Sequence, residues 1–242
     1  MLATVADGKI VAERWGEGDP SVIALHGWGR GRLDWVPILS HLDALAPDLP
    51  GFGLTPAPTS VWGSADYARS LLNLLDGTPK VIVGHSFGGR VALHLAIMAP
   101  DQVRSLVLTG VPLLRTGPTR GPALPFRIAK ALSSKGLLSE ARMDAFRNRY
   151  GSQDYRAASG VMRNILVKLI SESYDEDIRN ISCPVELVWG EHDNEVPLSI
   201  ARSATGQFRH ANLTVVPDAA HLLTPEFTLP LQKAIGTKDA PL

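Results

Sequence analysis

Short runs of apolar residues alternate with helix-like, amphipathic segments along most of the chain. Several runs are nearly continuous Val, Ile and Leu, which is typical of strands covered on both faces of a parallel sheet. The predicted strands are Ile10–Arg14, Val22–Leu25, Leu42–Ala46, Val81–Gly84, Ser105–Leu108, Val185–Trp189 and Leu213–Val216. The predicted helices are Ser64–Leu75, Phe87–Met98, Pro197–Ala204 and a last helix that begins near Thr224. This order predicts an α/β fold with a mostly parallel central sheet and helices on both faces.

The regular alternation stops near Pro112 and resumes near Ser182. The intervening stretch begins with several Pro and Gly residues and then becomes helical. From Ala158 to Leu169 the apolar residues recur at i, i+3, i+4, i+7, i+8 and i+11, which is one face of a helix. We therefore predict a core domain made of residues 1–111 and 181–242, with residues 112–180 inserted as a helical cap.

The composition excludes several classes of function. Apolar residues make up 45% of the 242 residues and charged residues 20%, so the chain can bury a sizeable core. Lys and Arg total 24, as do Asp and Glu, and this balance argues against nucleic acid as the main partner. Cys183 is the single cysteine, so neither an intrachain disulfide nor a cysteine-rich metal site can form.

The sequence also bears on the compartment. Met1 to Ile10 lacks the basic and apolar regions of a secretory signal. No apolar run approaches the roughly 20 residues that cross a bilayer. We therefore expect a cytoplasmic protein without a membrane span.

The sharpest chemical signal lies between the strand Val81–Gly84 and the helix Phe87–Met98. Gly84 to Gly88 reads G-x-S-x-G, with Ser86 at its centre, and a strand-to-helix turn is the context that this motif requires. A tight, strained turn would lift the serine hydroxyl off the sheet and crowd the residues two before and two after it together, so both are glycine. The helix would point its N-terminal N–H groups at the turn, where negative charge is favoured.

Together with four further motifs, this turn resembles the α/β-hydrolase family. The four are His26-Gly-Trp-Gly29, Asp48-Leu-Pro-Gly-Phe-Gly53, Trp189-Gly-Glu-His-Asp193 and Asp218-Ala-Ala-His221. The resemblance covers nearly the whole chain apart from the cap, and it is closest to carboxylesterase-type members. It implies the α/β-hydrolase fold and a Ser86 nucleophile. It also implies an oxyanion hole formed by the backbone N–H groups of Phe87 and Trp28, with the Trp28 ring facing the substrate pocket. A core aromatic beside a turn is the alternative for Trp28, and His26 is expected to be structural.

The candidate general base is His221, one of seven histidines. It follows the run Leu213–Val216 and so lies beyond the carboxyl end of a strand, where catalytic groups of such sheets sit. His210 precedes the same run and falls at the opposite end. His85 adjoins the serine, but the strand pleat turns it away, which leaves His192 as the near competitor.

The orienting acid is sought in the loop after Trp189. Some family members carry it at the end of the strand before the cap, but Leu108 to Pro112 contains no carboxylate. Glu191, Asp193 and Glu195 are therefore the candidates, and Asp193 matches the G-x-x-D position of the family loop. Its alternative role is to cap the helix that begins near Pro197. The chain order Ser, Asp, His agrees with the family.

These residues predict a serine hydrolase that cleaves a carboxylic ester or thioester through an acyl-enzyme. No dinucleotide fingerprint, Walker loop or zinc spacing is present, so no cofactor or metal is expected. The rivals are cofactor-free haloperoxidase (perhydrolase) chemistry, carbon–carbon bond hydrolysis and a non-catalytic binding protein. A serine at position 86 argues against dehalogenases and epoxide hydrolases, whose nucleophile is a carboxylate.

The charge of the predicted cap leads to a hypothesis about the substrate. Residues 112–170 contain 11 basic and three acidic residues. We infer an apolar acyl group inside the pocket and an anionic or carrier-bound feature outside it, near Arg147 and Arg149. The alternative is that the cap and core charges attract each other and hold the cap shut.

Overall fold

The computed structural model describes residues 1–75, 77–115, 139, 142 and 152–236. These residues form one eight-stranded sheet in the order β1-β2-β4-β3-β5-β6-β7-β8. The strands are β1 Leu2–Val5, β2 Ile10–Trp15, β3 Val22–Leu25, β4 Ala44–Pro47, β5 Lys80–His85, β6 Val103–Thr109, β7 Val185–Gly190 and β8 Ala211–Val216. The six strands from β4 to β8 in this order are parallel, and β1 and β2 form an antiparallel hairpin at one edge. The predicted mostly parallel sheet is confirmed.

Helices cover both faces of the sheet, as predicted. They are α1 Val36–Leu39, α2 Ser64–Leu71, α3 Phe87–Met98, α4 Gln153–Ala157, α5 Gly160–Ser171, α6 Asp177–Asn180, α7 Leu198–Thr205 and α8 Thr228–Gly236. Alternate residues of each central strand point to opposite faces. Ile23 and Ile82 therefore join one core cluster with α2, α3 and α7, whereas Val22 and Val81 join a second cluster with α1 and α8.

The buried central strands give the turn at Ser86, which follows β5, a rigid base. Every residue of β3, β4 and β5 is buried, because each of these strands has a neighbour on both sides and helices above and below. The edge strands β1 and β8 alternate between exposed and half-buried positions along most of their length. The carboxyl ends of the parallel strands meet at one edge, and the loops that bear the candidate catalytic residues leave from it.

The predicted cap falls between β6 and β7, which are adjacent and parallel. Of residues 112–180, the structure describes 112–115, 139, 142 and 152–180, so the division into core and cap stays a prediction. The helix α5 begins at Gly160 rather than at Ala158, because Ser159 is extended and Gly160 has a φ of +52°. Ala158 is buried although it lies outside the helix.

Six of the basic residues that the charge hypothesis invokes lie outside the described residues. They are Arg120, Arg127, Lys130, Lys135, Arg147 and Arg149. Three of the described ones bind the chain itself. Arg115 donates to the Ser171 carbonyl, the Nε of Arg163 donates to the Ala158 carbonyl at 2.8 Å, and Lys168 lies 3.5 Å from an Asp66 carboxylate oxygen.

Within the described ranges, none of the helices combines the length and the apolar character that crossing a bilayer requires.

Candidate active site

Ser86 sits on the turn between β5 and α3 with a strained backbone. Its φ is +49° and its ψ is −110°, a conformation that a residue with a side chain rarely adopts. The Ser86 N–H donates to the Thr109 carbonyl at 2.9 Å, which fixes the turn to the end of β6. Such strain costs of order 1–3 kcal/mol and persists where surrounding structure enforces it, commonly at active sites.

The two glycines of the motif permit different close approaches. A Cβ built on Gly84 would lie 2.5 Å from the Cα of Gly89, and one on Gly88 would lie 2.1 Å from the Leu25 carbonyl oxygen. The expectation that Gly84 and Gly88 crowd mainly each other is therefore incomplete. Gly88 instead lets the first turn of α3 press against the end of β3, where the His26–Gly29 loop begins.

His221 and Asp193 form a buried hydrogen-bonded pair. The His221 Nδ1 lies 2.8 Å from the Asp193 Oδ2. The other Asp193 oxygen accepts the N–H groups of Glu195 and Val196 at 2.9 and 2.8 Å. Asp193 thus shapes its own loop before α7 and holds the imidazole at the same time. It does not cap α7, whose N-cap residue is Pro197 and which has no side-chain cap hydrogen bond. Only 5% of Asp193 is exposed.

Gly110, at the end of β6, packs against this pair. Its φ is +61°, and an added Cβ would lie 2.8 Å from the His221 Cε1 and 3.5 Å from the Asp193 Oδ2. A side chain here would displace the imidazole. The position that supplies the acid in some family members therefore supplies free space in this chain.

Two further histidines hold backbone rather than substrate. The His26 Nε2 accepts the Leu49 N–H at 2.9 Å, so its Nδ1 carries the proton and donates to the Gly27 carbonyl at 2.7 Å. Burial, partly opposed by this bond to Gly27, lowers the pKa of His26. This arrangement ties the loop after β3 to the loop after β4, in agreement with a structural role for His26.

His85 supports the backbone of His221 from below. Its Nε2 lies 3.0 Å from the His221 carbonyl oxygen, and burial, with the charge of His221, lowers the pKa of His85 to about 4. A neutral His85 therefore donates its Nε2 hydrogen to that carbonyl. His192, the competitor for the base, is 62% exposed at its side chain, and its Nε2 lies 3.9 Å from a carboxylate oxygen of Asp218 instead.

A cavity of about 220 Å³ brings most of the predicted site together. Trp28, Ser86, Phe87 and His221 line its wall, and Asp193 lies behind His221. The remaining lining residues are Arg90, Pro112, Ser152, Asp154, Leu166, Leu169, Ile170, Glu195 and Val196. Leu166 and Leu169 belong to the apolar face that the spacing from Ala158 to Leu169 predicted for this helix, α5.

The two residues of the expected oxyanion hole, Phe87 and Trp28, line the same cavity as Ser86. Phe87 is the first residue of α3, so its N–H has no acceptor within the helix. Trp28 precedes Gly29, whose φ is +68°. The Trp28 and Phe87 rings meet edge to face, with their centroids 5.6 Å apart. Among the described residues neither N–H donates to a backbone acceptor, as the expected oxyanion hole requires.

Two carboxylates besides Asp193 face His221: Glu195, which the sequence offered as an alternative acid, and Asp154, which the sequence did not assign to the site. The Glu195 Oε2 lies 3.5 Å from the His221 Nε2, and Asp154 lies on the same cavity wall. Burial lowers the pKa of His221, but the hydrogen bond to Asp193 and the charges of Asp193, Glu195 and Asp154 outweigh it and raise that pKa. Burial also raises the pKa of Asp154.

Glu195→Gln should move the acid limb of the kcat/KM profile to lower pH. A histidine base works in its neutral form, so kcat/KM rises with pH through the pKa of His221. The Glu195 charge raises this pKa, and its removal lets the rise begin at lower pH. High salt should shrink the difference, because the Glu195 side chain is 68% exposed. Glu191→Gln, an exposed change outside the cavity, is the control, and an equal shift in both variants would contradict the prediction.

Among the described residues, no group of His, Cys, Asp and Glu side chains is arranged to hold a metal ion.

A model of the Alpha/beta hydrolase family matches residues 22–228. The chain belongs to this family. The match begins at β3 and ends at the start of α8, so it contains all five motifs and both sides of the cap.

Named relatives in this α/β-hydrolase family include esterases, lipases and other hydrolases. The chain is 30% identical over 236 residues to a pimeloyl-[acyl-carrier protein] methyl ester esterase of Aromatoleum aromaticum. This alignment covers 84% of the chain and 91% of that esterase. It is 31% identical over 210 residues to the 2-hydroxy-6-oxo-2,4-heptadienoate hydrolase of Pseudomonas putida. This alignment covers 76% of the chain and 75% of that hydrolase. The match to lipase LipV of Mycobacterium tuberculosis is 40% identical over 102 residues and spans only 40% of the chain and 39% of that lipase.

Solved structures of α/β-hydrolases share the fold. A membrane phospholipase A superposes with a TM-score of 0.73 at 21% identity, over 99% of this chain and 86% of that chain. A thermophilic esterase superposes with a TM-score of 0.70 at 23% identity, over 98% of this chain and 95% of that chain. At 21–23% sequence identity, the similarity to these solved structures shows a shared fold alone.

Proposed function

We propose that this chain is a serine hydrolase that cleaves a short carboxylic ester or thioester through an acyl-enzyme on Ser86. The observation that carries the proposal is one cavity lined by both Ser86, on its strained turn, and His221, whose Nδ1 is held by Asp193. The names of the relatives and the fold support a hydrolase.

In the proposed reaction, the Ser86 Oγ attacks the ester carbonyl while the His221 Nε2 accepts its proton. The tetrahedral oxyanion takes hydrogen bonds from the N–H groups of Phe87 and Trp28. His221 then passes the proton to the leaving alcohol or thiol as the carbonyl–heteroatom bond breaks. Water, deprotonated by His221, releases the acid by the same two steps. Asp193 keeps the Nδ1 hydrogen in place and stabilises the imidazolium.

The size of the cavity favours small acyl groups. Its volume of about 220 Å³ lies below the roughly 300–1,000 Å³ of pockets that hold drug-sized ligands. Its apolar wall comes from Leu166, Leu169 and Ile170, and its two carboxylates, Asp154 and Glu195, lie near His221. We therefore place the acyl group against α5 and the leaving group toward Asp154 and Glu195.

Carbon–carbon bond hydrolysis is the second candidate, because the Pseudomonas putida relative carries the name of a dienoate hydrolase. The same Ser86, His221 and Asp193 would serve it. Cofactor-free haloperoxidase chemistry has no comparable support among the named relatives.

Release of p-nitrophenol, measured with a series of p-nitrophenyl esters, separates these candidates. The purified chain should hydrolyse the acetate and butyrate faster than the laurate, and acyl thioesters of matching length should also react. A vinylogous 1,5-diketone should be cleaved much more slowly. Rapid diketone cleavage with inert esters would favour the second candidate. No turnover of any substrate, together with no labelling by a fluorophosphonate, would favour a binding protein.

A further inference from the structure

Arg90 lies one helical turn after Ser86 on the cavity side of α3. Four residues advance a helix by about 6 Å along its axis, so its guanidinium is within side-chain reach of an acyl group attached to Ser86. Arg90 is half-buried and lines the cavity beside Leu169. The reaction proposed above uses Ser86, His221, Asp193 and two backbone amides, and it gives Arg90 no part.

The contacts of Arg90 leave much of its hydrogen-bonding capacity unused. Its Nη1 donates to the Leu169 carbonyl, and its Cζ lies 5.7 Å from the centre of the Tyr174 ring. No carboxylate of the described residues lies within ion-pair distance of it. Arg32, an inward-facing arginine elsewhere in the fold, instead has its Nη1 2.6 Å from a carboxylate oxygen of Asp48.

A partly buried guanidinium without a carboxylate favours an anionic ligand. Removing a charge from water is unfavourable unless an opposite charge and hydrogen bonds compensate it. The planar guanidinium matches a carboxylate particularly well, since two parallel N–H groups can donate to its two oxygens. The clamp to Leu169 and the Tyr174 ring fixes the group in place before a ligand arrives, which lowers the entropy cost of binding.

The other charged groups that line the cavity are two carboxylates near His221. The Glu195 carboxylate lies 3.5 Å from the His221 Nε2, and the Asp154 carboxyl interacts electrostatically with His221. The cavity therefore carries its positive charge at Arg90, which is tied to Leu169 of α5, and negative charges near His221. An anionic group is repelled from the leaving-group end and attracted to the acyl end, so this polarity also sets the orientation of the substrate.

We propose that Arg90 binds the terminal carboxylate of the acyl group, so that the preferred substrate is a short half-ester or half-thioester of a dicarboxylic acid. This inference rests on the proposed function. Hydrolysis converts the half-ester or half-thioester and one water into the dicarboxylate, the alcohol or thiol and one proton, and no other reactant is needed. It differs from recognition of an anion by the basic residues of the cap, because the carboxylate lies inside the cavity.

Matched methyl esters test the inference. Acid release from monomethyl glutarate and monomethyl adipate is compared with that from methyl valerate and methyl hexanoate, which lack the carboxylate. In Arg90→Met, kcat/KM for the half-esters should fall by about 10- to 100-fold, as is common when a charged hydrogen-bond partner is removed. The neutral esters should change by less than a few-fold. Arg90→Lys should recover part of the activity, because it keeps the charge but loses the two parallel donors.

Arg163→Met is the control for a purely structural role. Arg163 also bonds a backbone carbonyl, that of Ala158, and stacks on a tyrosine ring with its Cζ 5.5 Å from the centre of Tyr155. It does not line the cavity, so this variant should keep the preference for half-esters. If Arg90→Met lowers kcat/KM equally for neutral esters and for half-esters, Arg90 only holds α3 against α5, and the inference is wrong.

A binding measurement separates this inference from the proposed function. Glutarate should bind the Ser86→Ala variant in calorimetry, and Arg90→Met added to that variant should weaken binding by the same 10- to 100-fold. Equal binding with and without Arg90 would overturn the inference even if the esters are hydrolysed. Glutarate binding without any ester turnover would instead count against the proposed function alone.

Discussion

Ser86→Ala should lower kcat for a p-nitrophenyl ester by about 10⁵- to 10⁶-fold, the range seen when the nucleophile of a serine hydrolase is removed. The variant keeps the cavity and both oxyanion amides but has no oxygen to form the acyl-enzyme. KM should change much less than kcat, because the acyl group contacts Leu166, Leu169 and other walls that the substitution leaves intact. Steady-state kinetics with high enzyme concentration can measure the residual rate.

Covalent labelling gives the same prediction a direct readout. A fluorophosphonate should add one adduct to the peptide that contains Gly84–Gly89, and Ser86→Ala should abolish it. Ser203→Ala, an exposed serine on α7, is the control and should label like the wild type. Full labelling of the Ser86→Ala protein would show that another residue is the nucleophile.

Asp193→Asn should lower kcat by about 10⁴-fold, as in the best-studied triad. The carbonyl oxygen of the introduced amide can still accept the N–H groups of Glu195 and Val196, so the loop keeps its shape. The NH₂ group of that amide then faces the His221 Nδ1, which must become an acceptor. The imidazole hydrogen moves to Nε2, and that nitrogen can no longer take the proton of Ser86.

The neighbouring carboxylates provide the controls for Asp193. Glu191→Gln and Glu195→Gln should each lower kcat far less, because neither side chain bonds the Nδ1 side of the imidazole. A melting temperature near that of the wild type would show that Asp193→Asn is still folded. If Glu191→Gln causes the largest loss, the identity of the acid has been misassigned.

The sequence predicts those parts of the fold that depend on local pattern. The central strands are short, nearly continuous apolar runs, and Val22–Leu25 and Phe87–Met98 have the predicted bounds. The strand β1 was missed because its four residues alternate between exposed and half-buried positions. The Asp7-Gly8 pair after it, both with positive φ, is a hairpin signal that could have revealed it.

The candidate site likewise contains residues that the sequence could predict and contacts that it could not. Ser86, Asp193 and His221 could be proposed because each lies in a motif of fixed spacing. The arrangement of the charges around them could not, because Arg90 comes from α3, Asp154 from α4 and Glu195 from the loop before α7, and only the folded chain brings all three to one cavity. Nor does any local pattern reveal that Gly110 makes room for the imidazole, because that contact joins β6 to a loop more than 100 residues away.

The strained turn at Ser86 sets stability against activity. A residue with a Cβ is held at a φ of +49°, a conformation that glycine adopts freely, so part of the folding free energy is spent on presenting the hydroxyl. Selection for stability alone would favour glycine at this position, and a library screened only for heat resistance would drift toward an inactive protein. Thermostable variants of this chain are therefore best sought where strain serves no chemistry, such as Ala6 and Asp7 in the β1–β2 turn, both of which also have positive φ.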